Sequence, residues 1–169
     1  VPVGSGAKEL PVQIKGFRDG KGTPVITVIC DGTGGAGKRY ILAPDTITYG
    51  DTVLSFYSVT EESNGDGTNA PDGVITYGTD LHYPSRDGFK TTGTLPQVQN
   101  LLSTKRTSNT IQRDLSTLNQ AAMDKCVGLA VEGRLFWAVP VGSESNSEIW
   151  ILDLDRKGAW MKPWSIPAD

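Results

Sequence analysis

Short apolar runs separated by turn-forming residues recur along the first sixty residues. The runs lie at 10–14, 24–30, 38–43 and 52–59, and clusters of Gly and Asp stand between several of them. Apolar runs of this length, bounded by turn residues, are typical of β-strands joined as hairpins. The region 10–60 is therefore predicted to be an N-terminal β-hairpin region with at least four strands.

A polar tract at 61–72 follows and is predicted to be a loop and an internal boundary, because Asn-Gly and Asp-Gly pairs favour turns. The second half begins at Gly73, with short strands predicted at 73–77 and 79–83. The segment 85–88 reads Ser-Arg-Asp-Gly, a poor match to the Asp-box turn of sialidase-like propellers. We interpret it as a hairpin turn.

Helical spacing occurs once, in the middle of the second half. Four apolar residues follow one another at offsets of four, three and four: Ile111, Leu115, Leu118 and Ala122. This spacing places them on one face of a helix, and Ser108 or Asn109 is available as its N-cap. One short helix is therefore predicted near 108–122.

The end of the chain has the most regular pattern. Apolar strands at 127–131, 135–141, 148–154 and 159–164 are separated by short turns, which predicts a four-stranded antiparallel meander. All the tryptophans lie here: Trp137, Trp150, Trp160 and Trp164. Trp137 and Trp150 stand inside apolar strands and are predicted to be core, whereas Trp164 beside Pro163 is a candidate interface residue.

Composition supports a mainly β protein and excludes several functions. Among 169 residues, 20 Gly and 10 Pro favour turns over long helices. A net charge of -3 makes nucleic acid an unexpected partner. The longest apolar runs have strand length, so no membrane-spanning segment is predicted. Residues 1–9 are predicted to be a linker, and because the chain begins with Val1 we expect a fragment of a longer protein.

Metal and phosphate sites have little support. Cys30 and Cys126 do not have metal-ligand spacing, and whether they form a disulfide stays open. Gly32, Gly37 and Lys38 satisfy the spacing of a phosphate-binding loop. However, Arg39 stands where that loop needs Ser or Thr, and a strand-like run follows instead of a helix, so we interpret 32–37 as a hairpin loop. No cofactor or metal is predicted.

Catalytic groups are also weakly indicated. Only Glu132, Glu148 and Asp153 lie in or beside predicted core strands, and nothing in the sequence places two of them across one sugar ring. The single histidine, His82, is interpreted as a strand residue making one hydrogen bond, since no partners for a catalytic triad accompany it. The chain is therefore predicted not to be an enzyme.

The segment from Asp153 to Trp160 resembles the ending of kelch-type β-propeller blades, with an aspartate, a turn and a tryptophan. This resemblance implies that Asp153 closes the turn and that Trp160 packs between blades. The implied fold is mainly β, with antiparallel meanders that form partial propeller-like blades and one short inserted helix. The blade region is expected to span 73–169.

A wider resemblance links 73–164 to the propeller-containing tail and head-to-tail stabilisation (tail hub) proteins of short-tailed phages. It rests on these segments: 88–89, 100–104, 111–112, 135–142, Asn146, 148–150 and 156–160. It implies a non-enzymatic virion component, assembled in the host cytoplasm, that binds identical subunits and other tail or connector proteins. Neither nucleic acid nor a membrane is required. Residues 1–60 have no such resemblance.

Two other functions stay open on sequence grounds. One is a propeller or sandwich module that binds glycans or proteins through aromatic residues in loops, and the other, less favoured, is a glycosidase. A closed propeller needs about 4 to 8 four-stranded blades. A chain of this length falls short of that number, so we expect other copies or further polypeptide to cover its sheet edges.

Overall fold

A computed structural model describes residues 10–18, 23–31, 37–64, 67–94 and 102–167. Within them the chain forms three antiparallel sheets and a few short helical turns. The mainly β, antiparallel prediction is confirmed. The predicted linker at 1–9 and most of the glycine-rich loop, 32–36, lie outside the described residues.

The first sheet contains the N-terminal hairpins in the strand order β1-β2-β3-β4. Its strands are β1 (Pro11–Arg18), β2 (Pro24–Cys30), β3 (Lys38–Tyr49) and β4 (Thr52–Asn64). Each strand pairs antiparallel with the next one along the chain. Strands β3 and β4 are longer than the sequence predicts, and β4 continues into the segment that was predicted to be a loop from residue 61.

The second sheet has the order β5-β6-β7-β8, again antiparallel throughout. After a 3₁₀ turn at Pro71–Gly73, the strands are β5 (Ile75–Tyr77), β6 (Asp80–Ser85), β7 (Gly88–Thr94) and β8 (Leu102–Arg106). The predicted hairpin turn after residue 85 is confirmed, because β6 and β7 pair from Ser85 and Gly88 onward.

Strands β7 and β8 were not predicted. For β7, the reason lies in its composition. It contains one large apolar residue, Phe89, while two of its buried positions are polar. Lys90 is buried beside Asp87, with 3.1 Å between its Nζ and the carboxylate, and the hydroxyl of Thr92 accepts a hydrogen bond from Arg39 in β3. The partner of Lys90 is in the turn before β7, whereas the partner of Thr92 lies 53 residues away in the chain, and with these polar residues the strand lacks an apolar pattern.

The third sheet has the order β12-β11-β10-β9. Its strands are β9 (Val127–Val131), β10 (Arg134–Val139), β11 (Glu148–Asp153) and β12 (Ala159–Trp160), and β13 (Trp164–Ser165) also pairs with β11. The last strand predicted from the sequence is thus two short strands. Both pair with β11, one at each end, and the chain between them includes Pro163, which has no backbone N–H to donate to the sheet.

The prediction of one continuous helix near 108–122 was wrong. The structure has a 3₁₀ turn at Ser108–Ile111, one α-helical turn α1 (Gln112–Leu115) and a second 3₁₀ turn at Gln120–Lys125. The backbone N–H of Asn119 donates to the carbonyl of Pro140, and Leu118 forms a β-bridge with Val141. Pairing with the end of β10 therefore interrupts the helix.

The residues with helical spacing nevertheless face the core. Leu115, Leu118 and Ala122 are buried, and Ile111 packs at the border of the same apolar cluster. The hydroxyl of Ser108, proposed as an N-cap, accepts a hydrogen bond from the backbone N–H of Phe89 and so ties this segment to β7.

The second sheet lies between the other two, because apolar clusters cover both of its faces. One cluster joins it to the first sheet and consists of Val25, Ile29, Ile41, Val74, Leu81 and Tyr83. The other joins it to the third sheet and includes Ile75, Phe89, Leu135, Trp137, Val139, Trp150 and Leu152. Across the described residues the three sheets stack in chain order and do not close into a barrel or ring.

Candidate assembly surface

Asp153 lies at the corner where β11 turns toward β12. Its carboxylate accepts a hydrogen bond from Arg134 Nε at 3.2 Å and from the backbone N–H of Arg156 at 3.1 Å, and Arg156 Nε lies 3.7 Å away. Burial by itself would raise the pKa of this carboxyl, but these hydrogen bonds and the two guanidinium charges lower it below its usual value. The ionised carboxylate fixes the turn that places Trp160.

Three of the four tryptophans meet between the second and third sheets. Trp137 and Trp150 are buried and Trp160 is partly buried. Phe89 of β7 packs among them, with ring centroids 4.7 Å from Trp137, 5.0 Å from Trp160 and 5.9 Å from Trp150. The aromatic cluster therefore holds two sheets together, and most of it is covered by them instead of being exposed to a partner.

Each indole N–H in this cluster has a partner. Trp137 donates to the carbonyl of Gly73 at 2.9 Å, and Trp160 donates to the carbonyl of Thr107 at 3.0 Å. Trp150 donates to the carboxylate of Glu148 at 2.8 Å. Two of these bonds connect the third sheet to the segments that flank the second, so they fix the orientation of the sheets as well as their contact.

Gly128 in β9 marks the closest approach of the third sheet to the second. A Cβ at this position would lie 2.7 Å from Cγ1 of Ile75 and 3.0 Å from the carbonyl oxygen of Gly73. Because Gly128 and Ala130 must face this contact, the larger residues that alternate with them in β9 face outward.

We expect Gly128→Ala to lower the free energy of unfolding by about 1–2 kcal/mol, since the added methyl group overpacks against Ile75. Urea-induced unfolding measures the change. Gly16→Ala is the matched control, because the nearest atom to its Cβ is 4.0 Å away, and it should change stability by less than about 0.5 kcal/mol. Equal effects of the two substitutions would contradict the close sheet contact.

The third sheet has an apolar face that points away from the second sheet, and we call it the outer face. It contains Val127, Leu129, Val131, Phe136 and Trp164. The strand register places the three β9 residues opposite Arg134, Phe136 and Ala138 of β10, and Trp164 opposite Ile149 of β11. Val127, Leu129, Val131 and Trp164 are 44–62% exposed.

Trp164 extends this outer face across the sheet. Its ring centroid lies 6.1 Å from that of Phe136, in a tilted arrangement. The sequence indicated Trp164 as an interface candidate but missed the β9 residues beside it. The sequence feature that could have indicated them is the alternation of large and small residues in β9. This alternation does not by itself show which set faces the core.

Glu148 and Asp153 are not spaced as a glycosidase pair. Glu148 and Asp153 stand at opposite ends of β11, five residues apart, which corresponds to about 17 Å along a strand. Glycosidases need separations of about 5 to 9.5 Å. Glu132 is exposed in the β9–β10 turn with φ 45°. Glu148 and Asp153 instead orient Trp150 and the β11–β12 turn.

His82 is a buried strand residue with a hydrogen bond to the neighbouring strand. Its Nδ1 lies 2.7 Å from the hydroxyl of Thr91 in β7. Burial lowers the pKa of His82 to about 4, so the ring is neutral near pH 7.

Cys30 and Cys126 are both buried, and they do not form a disulfide with one another. Burial raises the pKa of the Cys126 thiol to about 12. In the described part of the chain, three or more His, Cys, Asp or Glu side chains do not come together as a set of metal ligands.

A small depression borders the aromatic cluster on the solvent side. Its volume is about 220 Å³ including open solvent, and it is lined by Ile111, Asp114, Trp150, Trp160, Met161 and Pro163. Asp114 is the single acidic residue in its lining.

In comparisons with known proteins, no family model, curated protein or solved structure matches the chain. None of the helices in the described ranges has the length and apolar character needed to cross a membrane.

Proposed function

We propose that this chain is a non-enzymatic structural component of a phage virion, in the tail or at the head-to-tail connection. In this role it assembles through protein–protein contacts with identical copies and with neighbouring virion proteins. The proposal takes its virion assignment from the resemblance of 73–164 to tail hub proteins. The observation that carries the assembly role is the exposed outer face of the third sheet.

The proposal treats the three sheets as successive blades of an incomplete propeller. Each is an antiparallel meander of four consecutive strands, and neighbours in sequence pack face to face. Propellers have this arrangement, but they need about 4 to 8 blades to close. The outer face then corresponds to the surface on which the next blade packs, and in the assembly another copy supplies what covers it.

Covering the outer face with another copy would remove its apolar side chains from water, and this burial favours association. Its exposed residues lie next to one another in β9, and the partly buried Phe136 of β10 links them to Trp164, whereas Ile151 of β11 on the same face is buried. A single exposed leucine is ordinary, but a contiguous apolar sheet face marks an interaction site. The polar groups nearby serve the fold, since Asp153 is held by Arg134 and Arg156.

Light scattering at increasing protein concentration tests the assembly role. We expect a mass above that of one chain, and we expect Leu129→Asp to raise the concentration needed for association by about tenfold or more. Ser145→Asp adds the same charge at an exposed loop position and should leave association unchanged. A monomer at every concentration, combined with binding to a sugar array, would replace the proposal with the glycan-binding alternative.

The virion role needs its own experiment. Mass spectrometry of purified particles from the phage that encodes the chain should detect its peptides at a constant ratio to the other tail proteins. Peptides confined to the infected-cell lysate, with none in the particles, would exclude a virion component even if the chain self-associates.

A further inference from the structure

The hairpin of β3 and β4 extends well beyond the rest of the first sheet. β2 pairs with β3 only as far as Leu42, whereas β3 and β4 continue to pair as far as Tyr49 and Thr52. Every residue of the segment 44–57 is exposed, and we call this segment the arm. Its six cross-strand pairs span about 17 Å, roughly the width of a four-stranded sheet.

One face of the arm contains most of its large apolar side chains. The register pairs Ile47 with Leu54 in the middle of this face, and Phe56 and Tyr49 flank them, opposite Asp45 and Thr52 respectively. These four side chains are 45–84% exposed. The opposite face contains Thr46, Thr48, Val53, Ser55 and Tyr57.

The apolar face of the arm continues an interface that already exists in the chain. Ile41 and Ala43 precede it on the same side of β3, and both pack on the cluster that joins the first sheet to the second. The arm therefore presents the same kind of sheet-packing surface past the edge of the second sheet. A two-stranded hairpin is marginally stable by itself, so a partner on this face also stabilises the arm.

We infer that the arm docks on the outer face of the third sheet in a second copy of this chain. This inference rests on the proposed self-assembly and names the two surfaces that meet. Both are exposed and apolar, and they match in extent, since the arm has about the length needed to cross the strands of one sheet.

Charge favours this pair of surfaces over contact between two arms. No Lys or Arg occurs between Arg39 and Arg86, so the charged residues of the arm are Asp45 and Asp51. On the outer face, Arg134 stands opposite Val131, and with Arg156 it shares the carboxylate of Asp153, while the carboxylates of Glu132 and Asp155 lie close by. Two arms would bring like charges together, whereas on the outer face Asp45 of the arm can meet the guanidinium of Arg134.

Because two different surfaces meet, the contact either closes reciprocally between two copies or continues from copy to copy. Either arrangement covers the arm and the outer face at once. The second sheet separates these surfaces within one chain, so the contact forms between molecules.

Disulfide trapping between two singly substituted proteins tests the inference. One protein has Leu54→Cys and the other, distinguished by a larger tag, has Leu129→Cys, and oxidised glutathione is the oxidant. The native Cys30 and Cys126 are fully buried and give a low background. We expect a mixed disulfide dimer at least about fivefold above that from the matched control, Ser55→Cys on the opposite arm face with Leu129→Cys.

The outcomes separate this inference from the proposed function. If light scattering shows association but Leu54→Cys gives no more mixed dimer than Ser55→Cys, the arm does not dock on the outer face while self-assembly stands. If the proteins neither associate nor cross-link, both proposals fail. As an independent check, Leu54→Asp should weaken association by about tenfold and Ser55→Asp by much less.

Discussion

Trp137→Ala is expected to lower the free energy of unfolding by about 4 kcal/mol, the largest effect of any single substitution considered for this chain. The side chain is 1% exposed, its ring packs on Phe89 and Trp160, and its indole N–H is bonded to the carbonyl of Gly73. Truncation leaves a cavity between two sheets and an acceptor without its partner. For a domain stabilised by about 5–15 kcal/mol, this loss is a large share.

Urea-induced unfolding followed by far-ultraviolet circular dichroism measures this change without relying on tryptophan emission. The experiment is done at low protein concentration so that self-association does not add to the stability. Trp164→Ala is the matched control, since its ring is 55% exposed, and it should cost less than about 1 kcal/mol in the monomer. A loss below about 1 kcal/mol for Trp137→Ala would show that the second and third sheets are not packed around this ring.

His82 is expected to make the fold sensitive to mild acid. The pKa of the folded state is about 4 and that of the free side chain is 6.5, so the unfolded chain binds more protons between these values. Stability is therefore fully present above about pH 6.5 and falls as the pH decreases toward 4. The loss is about 2 kcal/mol between about pH 7 and about pH 5, and about 3 kcal/mol over the whole window.

Unfolding by urea at about pH 7 and about pH 5, for the native chain and for His82→Gln, measures this contribution. Glutamine does not titrate and keeps an amide that can bond to the hydroxyl of Thr91, so its stability should change much less over this interval. Asp153 acts in a different window, because its lowered pKa removes stability only below the usual range for an aspartate. Equal pH dependence in both proteins would exclude His82 as the cause.

A division of roles follows from these contacts. Asp153, His82 and three tryptophans, Trp137, Trp150 and Trp160, are engaged inside or between the second and third sheets, whereas the arm and the outer face, which includes Trp164, are exposed. Substitutions in the first group are expected to affect folding, and those in the second group to affect association. Measuring both properties for each variant therefore separates a folding defect from an assembly defect.

Strands whose residues have one consistent local signal were predictable. The bounds of β2 and β9 agree with the predicted 24–30 and 127–131, because apolar runs there end at turn residues. The antiparallel meander of the third sheet was predicted for the same reason, since its turns are short and its strands are apolar. In both cases, whether a residue belongs to a strand or to a turn depends on neighbours within a few residues of it.

Elements that depend on distant partners were not predictable. β7 is a strand although Thr92 interrupts its apolar pattern, because Arg39, 53 residues away in the chain, donates a hydrogen bond to the Thr92 hydroxyl. The helix predicted near 108–122 is broken because Asn119 and Leu118 pair with the chain after β10. Local helical spacing was present, but backbone hydrogen bonds to another element replaced those of the helix.

The sequence by itself determined that this protein is mainly β, where most of its strands run, and that its tryptophans concentrate in the final meander. Only the tertiary structure decided which side of each strand is covered. In β9 the small residue Gly128 faces Ile75 at close contact, so Leu129 and its large neighbours face solvent. Alternation along a strand defines two faces, but the packing of the next sheet selects the one that is buried.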